Sequence, residues 1–275
     1  MPPFDNREYW ESRLREHCSL AGVGYLRLGG RYNEWMYRVR GEVFDRVVTG
    51  LVRGNGQRPG EDGWRGKEVL DIGSGTGFYV ERWLRLGARV VGLDLTDVAV
   101  DSLTAGFPKA RFLRADIGEP LEGVPLRPAS FHAVSALDVL FHIVDDAGYA
   151  LAFQNISGLL RPGGWFLWSD NFLRHRSHRV SHQASRPLAL SLQLVEAAGF
   201  EVVDRVPMFV LMNYPADSKS RLVRWGWTAL VAPAMLAEPL GWVVGALLYP
   251  LERALVRRVR ESPSTELMVC RKRPA

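Results

Sequence analysis

Apolar positions recur at helical intervals in residues 5–20, where Tyr9, Trp10, Leu14 and Cys18 lie on or near one stripe, and this predicts a short first helix. A second helix is predicted from about Tyr32 to Leu51, because Trp35, Val39, Val43, Val47 and Leu51 recur four apart. Glycine and charge dominate residues 53–66, a turn-rich connection. Beyond it, short apolar runs alternate with helical ones. KEVLDIG, ARVVGLDL, ARFLRAD, ASFHAVSAL, GGWFLWSD, EVVDRVPMFV and STELMVCRK read as strands, and the segments starting FYVERW, TDVAVD, AGYALA and RPLALS read as helices. That alternation predicts an α/β fold with a mainly parallel seven-stranded sheet covered by helices on both faces. Residues 1–65 form an N-terminal helical appendage or lid, 66–212 the core, 213–262 an apolar helical insertion, and 263–275 the last strand.

The insertion is the segment least expected in a minimal sheet domain. Glu238 is the only charged side chain from Trp225 through Leu251. A bilayer span needs about 20 apolar residues in one regular element. Pro233, Pro239 and Pro250 divide this run, which predicts two short helices with a proline-containing connection. Arg253, Arg257, Arg258 and Arg260 follow directly. Three readings stay open: a helical cap or homodimer contact, an apolar lid over a greasy substrate, and a peripheral membrane contact.

Composition narrows the class. Of the 275 residues 47% are hydrophobic and 24% charged, enough to bury a core, so disorder is excluded as the main state. Cys18 and Cys270 stand near opposite ends with no Cys-x-x-Cys pair, which excludes a disulfide scaffold and a cysteine-built zinc site. The N-terminus offers no apolar run before a small-residue cleavage site, so secretion through a cleaved leader is not supported and the expected location is cytoplasmic, with contact at the inner face of the membrane left open. The net charge of +5 is unevenly spread, residues 171–275 holding 15 basic and 8 acidic side chains. The excess permits an anionic partner without establishing one.

The sharpest local signal is VLDIGSGTGFYV, residues 69–80. A strand ends in Asp71, and Gly73, Ser74, Gly75, Thr76 and Gly77 follow before a helix begins. Glycine lets the backbone turn tightly and approach a ligand, and helix-terminal amides can hold a polar group. Asp94, followed by Leu95, ends the next strand 17 residues after Gly77, where a carboxylate can accept hydrogen bonds from ribose hydroxyls. Asp116 ends the third strand and is placed to meet an adenine amino group while Ile117 packs on the ring. All three lie at carboxyl ends of successive strands, where open parallel sheets bind ligands.

LDIGSGTG, GLDL, RAD, FHAVSALDVLFHI and LLRPGGWFLWSD together resemble the ordered motif set of class I S-adenosylmethionine-dependent methyltransferases, a Rossmann-like fold, over about residues 66–212 plus the final strand. The resemblance implies that Asp71 organises the glycine loop and the methionine amine, that Gly73 to Gly77 pass under S-adenosylmethionine, that Asp94 holds the ribose, that Asp116 and Ile117 face adenine, and that Leu137 lies near the methionine portion. A nicotinamide-binding fold is the nearest competitor, but the loop reads G-S-G-T-G and lacks G-x-G-x-x-G spacing. YNEWMYRVRGEVF and SPSTELMVCRK also resemble parts of a bacterial methyltransferase-like group, and Tyr32, Trp35, Met36, Tyr37 and Arg40 are candidates to cover the cofactor.

Methyl transfer requires an aligned, desolvated nucleophile and sometimes removal of its proton. In SALDVLFHIVDD, His142 is the candidate base, with Asp138 or Asp145 setting its tautomer, and a structural histidine is the alternative. Asp138, Asp145, Asp146, Asp170 and Asn171 raise the idea of a magnesium site, but no ligand spacing joins them and no metal is expected. His175, His178 and His182 could share a helical face, yet with Arg174, Arg176 and Arg179 they read better as a polar, mobile segment over the substrate mouth. The basic residues do not form one continuous run and no Asn/Asp-Pro-Pro-aromatic motif follows the fourth strand, which argues against nucleic acid. The expected acceptor is a small or lipid-like molecule methylated on oxygen. Methylation of a small amine, and a cofactor-binding protein without catalysis, are the alternatives.

Overall fold

The computed structural model describes residues 4–53, 63–174 and 177–274; most of the connection expected at 53–66 lies outside the described residues. Side-chain caps start the helices where the chain supplies them. Asp5 accepts the Glu8 N–H to begin α1 (Asn6–Glu16), and after α2 (Gly29–Arg53) and β1 (Glu68–Ile72) the left-handed Gly77 opens α3 (Phe78–Arg85). β2 (Arg89–Asp94) leads to α4 (Asp97–Gly106), capped by Thr96, then β3 (Arg111–Arg114) and β4 (Phe131–Ala136). A 3-10 turn, Leu140–His142, precedes α5 (Asp146–Leu159) and β5 (Leu160–Asp170). The chain continues through β6 (His178–Val180), β7 (Gln183–Ser185), α6 (Leu188–Ala197), β8 (Phe200–Pro207), α7 (Arg221–Val231), α8 (Glu238–Arg258) and β9 (Glu266–Lys272).

Seven strands form one sheet in the order β3-β2-β1-β4-β5-β9-β8, with β9 antiparallel to both neighbours and the other pairings parallel. The expected sheet is therefore present, and its order reverses between β1 and β4, where a crevice opens at the strand ends. Alternation along β1 feeds two cores. Val69 joins Val39, Val43, Val80 and Trp83 on one face, while Leu70 and Ile72 join Val134, Phe153 and Val195 on the other.

The insertion holds the two expected helices with a proline-containing connection, but the second is longer than expected. A 3-10 turn at Ala232–Met235 follows α7, and α8 then runs 21 residues straight through Pro250. Pro239 falls in the first turn, where its missing N–H costs nothing. The cost of Pro250 is offset by packing against α2: Gly241 faces Tyr32, and Gly245 lies so near Trp35 that a Cβ there would overlap the indole ring. Both carboxylates of α8 clamp backbone amides. Glu238 accepts from the Gly30 and Arg31 N–H groups at 2.8 Å each, and buried Glu252 accepts from Val210, Leu211 and Met212. Residues 178–185, which include part of the segment read as polar and mobile, form a two-stranded hairpin. His175 and Arg176 lie outside the described residues.

The α2–α8 contact makes a prediction about stability. Gly245→Leu should destabilise the protein by about 1–3 kcal/mol through overpacking against Trp35, a fall of about 2–4 °C in melting temperature per kcal/mol. Gly226→Ala in α7, where a Cβ meets nothing within 4 Å, should be neutral or slightly stabilising in the same thermal melt.

Candidate active site

The turn after β1 brings the backbone under a cavity at the sheet reversal. Gly73, Gly75 and Gly77 all have positive φ, at 66°, 51° and 83°. The Gly73 N–H donates to the Leu93 carbonyl at 2.7 Å, which ties the turn to β2. Asp94 locks it further: one carboxylate oxygen accepts the Gly75 N–H at 2.8 Å, and the other accepts the Thr96 N–H and hydroxyl at 3.0 and 2.9 Å. Burial nonetheless holds the Asp94 carboxyl above its ordinary range.

Gly73, Ser74, Gly75, Thr76, Asp94, Leu95, Asp116, Ile117, Leu137, Asp138 and His142 all line this first cavity. Asp71 and Gly77 sit behind the turn instead. Asp71 accepts the Ser135 hydroxyl at 2.6 Å, and burial pushes its carboxyl up to about 7. A Cβ on Gly77 would overlap the Phe107 ring, so this glycine serves helix packing. Asp116 accepts the Gly118 N–H at 2.7 Å through one oxygen.

Helix α1 closes the cavity from above with Asn6, Trp10 and Leu14. It is fixed to α4 by the Arg7–Asp97 ion pair at 2.8 Å and by Glu11, which accepts the Asp97 N–H at 2.9 Å. Of the α2 residues expected to cover a cofactor, Tyr37 lines this cavity, Tyr32 donates to the Met212 carbonyl at 2.9 Å, and Trp35 faces Trp242 and Tyr249 of α8. Met36 and Arg40 line a second cavity of ≈720 Å³. Sequence reasoning placed the lid in α2 and missed the direct part of α1 and of Val23, Phe78 and Tyr79. The available signal was that Trp10 and Leu14 stand four apart on one stripe of a short, otherwise charged helix.

The two cavities share Trp10, Val23, Asp138 and His142. His142 Nδ1 lies 2.9 Å from the His182 carbonyl, an obligate acceptor, so Nδ1 carries the proton and Nε2 is left as the acceptor nitrogen. Trp10 meets the imidazole edge-on at 4.7 Å. Burial pushes the His142 pKa down to about 3, so the ring is neutral at physiological pH. Neither carboxylate expected to set its tautomer does so. Asp138, at the left-handed φ of 60°, pairs with Arg40 of α2 and accepts the Ser169 hydroxyl at 3.0 Å. Asp145 caps α5, accepting the Gly148 N–H at 2.7 Å.

The acidic residues considered for magnesium are dispersed in the same way. Asp146 pairs with Arg179 and Arg186, and Asp170 is buried with one oxygen accepting the Asn171 N–H at 2.6 Å and the other without a partner. No group of three or more His, Cys, Asp or Glu among the described residues could hold a metal ion. Among the described residues of the segment read as mobile, Arg179 donates to the Val144 carbonyl at 2.8 Å; beyond it, buried Arg186 donates to the Ile143 and Asp145 carbonyls at 3.0 and 3.2 Å, fixing the turn that carries His142.

Residues 69–164 match the family described as "Methyltransferase domain". That match, on a seven-stranded Rossmann-like sheet, supports a class I S-adenosylmethionine-dependent methyltransferase. It is 31% identical over 150 residues to a probable S-adenosylmethionine-dependent methyltransferase of Mycolicibacterium smegmatis, covering 52% of this chain and 56% of that one. It is 32% identical over 110 residues to a ubiquinone biosynthesis O-methyltransferase of Paracidovorax citrulli, covering 38% and 44%. The chain thus spans about half the length of the curated relatives it matches. Among solved structures, the [4+2]-cyclase SpnF superposes with a TM-score of 0.52 at 19% identity, covering 84% of this chain and 81% of that one. A methyltransferase from Methanosarcina mazei gives 0.50 at 12% identity, covering 77% and 94%. These likenesses show the fold.

The relative from Mycolicibacterium smegmatis is named as S-adenosylmethionine-dependent, and the residues present here fit that cofactor. Asp94 and Asp116 present carboxylate oxygens to the cavity, Ile117 and Leu137 supply apolar walls, and the glycine turn keeps side chains out of the floor. Asp94→Ala should weaken S-adenosylhomocysteine binding by about 1–3 kcal/mol, through loss of an acceptor and release of the Gly75 N–H, and calorimetry would measure it. Asp71→Ala should weaken it comparably by loosening the turn from beneath.

Burial raises Asp170, like Asp71, to about 7. The folded state then binds the proton more tightly than the unfolded chain, so this contribution to stability is complete below about pH 4 and is lost as pH rises through about 7. His142 acts oppositely, its contribution being lost as pH falls from about 6.5 toward 3. Thermal melts of the ligand-free protein should therefore show a decline from about pH 4 to about 7, partly offset by His142 below about 6.5 and levelling off above 7, and Asp170→Asn should reduce that decline.

Proposed function

We propose that the chain transfers the methyl group of S-adenosylmethionine to a hydroxyl oxygen of a small, largely apolar acceptor held in the second cavity. The observation that carries the reading is the wall common to the two cavities, where His142 and Asp138 face both. Trp10, Tyr25, Met36, Phe141 and Leu173 give the second cavity apolar walls for the body of an acceptor, and Arg13, Arg27, Arg40 and Arg224 with Asn171 and Asn213 line it with groups that can hold the acceptor's polar end. The relatives named ubiquinone biosynthesis O-methyltransferases support oxygen as the methylated atom.

When bound, S-adenosylmethionine supplies an electrophilic methyl group on sulfur. His142 orients the acceptor: its Nε2 lone pair, pointed by the Nδ1–H bond to the His182 carbonyl, accepts the hydroxyl hydrogen. An imidazole with a pKa near 3 is too weak to ionise a hydroxyl beforehand. The hydroxyl becomes strongly acidic as its oxygen acquires the methyl group, and its proton then passes to Nε2 and on to water. The Arg40–Asp138 pair fixes the wall beside it, and Trp10 excludes water from above.

His142→Ala should leave S-adenosylhomocysteine affinity within about threefold while lowering kcat by about 10²-fold or more. The parent profile should show no histidine limb between pH 5 and 8, because the ring is already neutral there. Incubation of a panel of phenolic and amine acceptors with isotopically labelled methyl donor, read by mass spectrometry, identifies the product. Label on nitrogen, or a fully active His142→Ala enzyme, would replace this reading with direct amine methylation; tight cofactor binding with no product across a wide panel would favour a cofactor-binding role without transfer.

A further inference from the structure

Apolar side chains reach the surface of this protein mainly in one place. Ten of the fourteen large hydrophobic residues exposed among the described residues fall within 222–251. Leu222 is 80% exposed, Trp225 73%, Leu236 79% and Leu247 72%. In α8 the division is by helical period: Gly241, Gly245, Tyr249 and Glu252 face α2 and the loop after β8, whereas Leu240, Val243, Leu247 and Leu251 recur three and four apart on the outside. An exposed cluster of this extent marks an interaction surface.

We propose that the outer face of α7 and α8 docks the protein on an anionic membrane surface. Charge decides the occupant. Of the two acidic residues of α8, Glu252 is buried, and Glu238, exposed at the first turn, has its carboxylate bonded to the Gly30 and Arg31 amides. Cations stand at its ends: Arg221 precedes Trp225 by one helical turn, and Arg258 follows Leu251 by two turns on the same stripe, with Arg260 just beyond. None of these three has an ion pair among the described residues. A second copy of the chain would set these arginines against a face whose one exposed α8 carboxylate, Glu238, is already engaged by two amides, whereas anionic headgroups match the arginines and acyl chains match the leucines. No helix among the described residues is long and apolar enough to cross a membrane, so the helices lie on it. Arg224 of α7 also lines the second cavity, which puts that cavity beside the docked face. Resting on the function proposed above, an apolar acceptor would then enter from the lipid.

The test is flotation of the purified full chain with vesicles of phosphatidylcholine alone or mixed with phosphatidylglycerol, at low and high salt. The parent should float with the anionic vesicles, with roughly tenfold weaker partition at high salt and for Arg258→Glu/Arg260→Glu. Leu247→Glu/Leu251→Glu should abolish flotation while keeping the parent's melting temperature and S-adenosylhomocysteine affinity. A parent that stays unbound, or that floats equally with neutral vesicles, overturns the proposal. So does a dimer, seen by light scattering, that the two glutamates dissociate without any vesicle binding. Flotation requires no methyl transfer, so its failure leaves the assignment of the reaction standing, and a failed methylation assay leaves the membrane contact standing.

Discussion

Helix α2 has to be held along one face of the sheet and against the carboxyl end of β4, and three contacts at different heights hold it there. Glu238 of the insertion caps its first amides, Arg40 in its middle pairs with Asp138 at the end of β4, and the Val48 carbonyl near its far end accepts the Trp64 indole N–H at 2.8 Å. A parallel sheet leaves a crevice at its order reversal. With α2 and α1 in place, the crevice becomes two cavities separated by a wall of four side chains. The partly buried Arg40–Asp138 pair is the most demanding of these contacts. Its desolvation must be offset by geometry, and the second Asp138 oxygen is accordingly satisfied by Ser169.

Asp138 and His142 illustrate how the site stores its order. Asp138 holds a left-handed backbone without being glycine, and its N–H donates to the Ser169 hydroxyl at 2.7 Å, so the strain is held by two side chains from different elements. That turn sends the chain into Leu140–His142, and Arg186 gathers the carbonyls that follow. The imidazole is thus fixed in tautomer and direction by backbone. A neutral, oriented acceptor suits a reaction in which the proton leaves late.

The insertion serves the same architecture from the other side. Its inner face packs on α2 through glycines that admit Trp35, and its carboxylates reach amides that would otherwise be unpaired. With Glu252 buried and Glu238 engaged by amides of α2, the outer face carries mainly apolar and basic side chains. One pattern of residues therefore supports the wall of the site and leaves an amphipathic surface beside it.

By itself the sequence determined the alternation of strands and helices, the seven-stranded sheet, the glycine turn and the acidic residues at three successive strand ends. Each of these is written in neighbouring residues: period two or 3.6 in apolar positions, and glycines within a single turn. Only the tertiary structure decided that Asp138 answers Arg40 and not His142, that the His182 carbonyl sets the imidazole tautomer, that α1 roofs the first cavity, and that α8 runs through Pro250. Those outcomes join residues distant in the chain, or balance a local cost against packing elsewhere. Asp145 shows the limit most plainly. Three residues from His142 it looked like a tautomer partner, yet the amide of Gly148 in the helix it begins claims its carboxylate first.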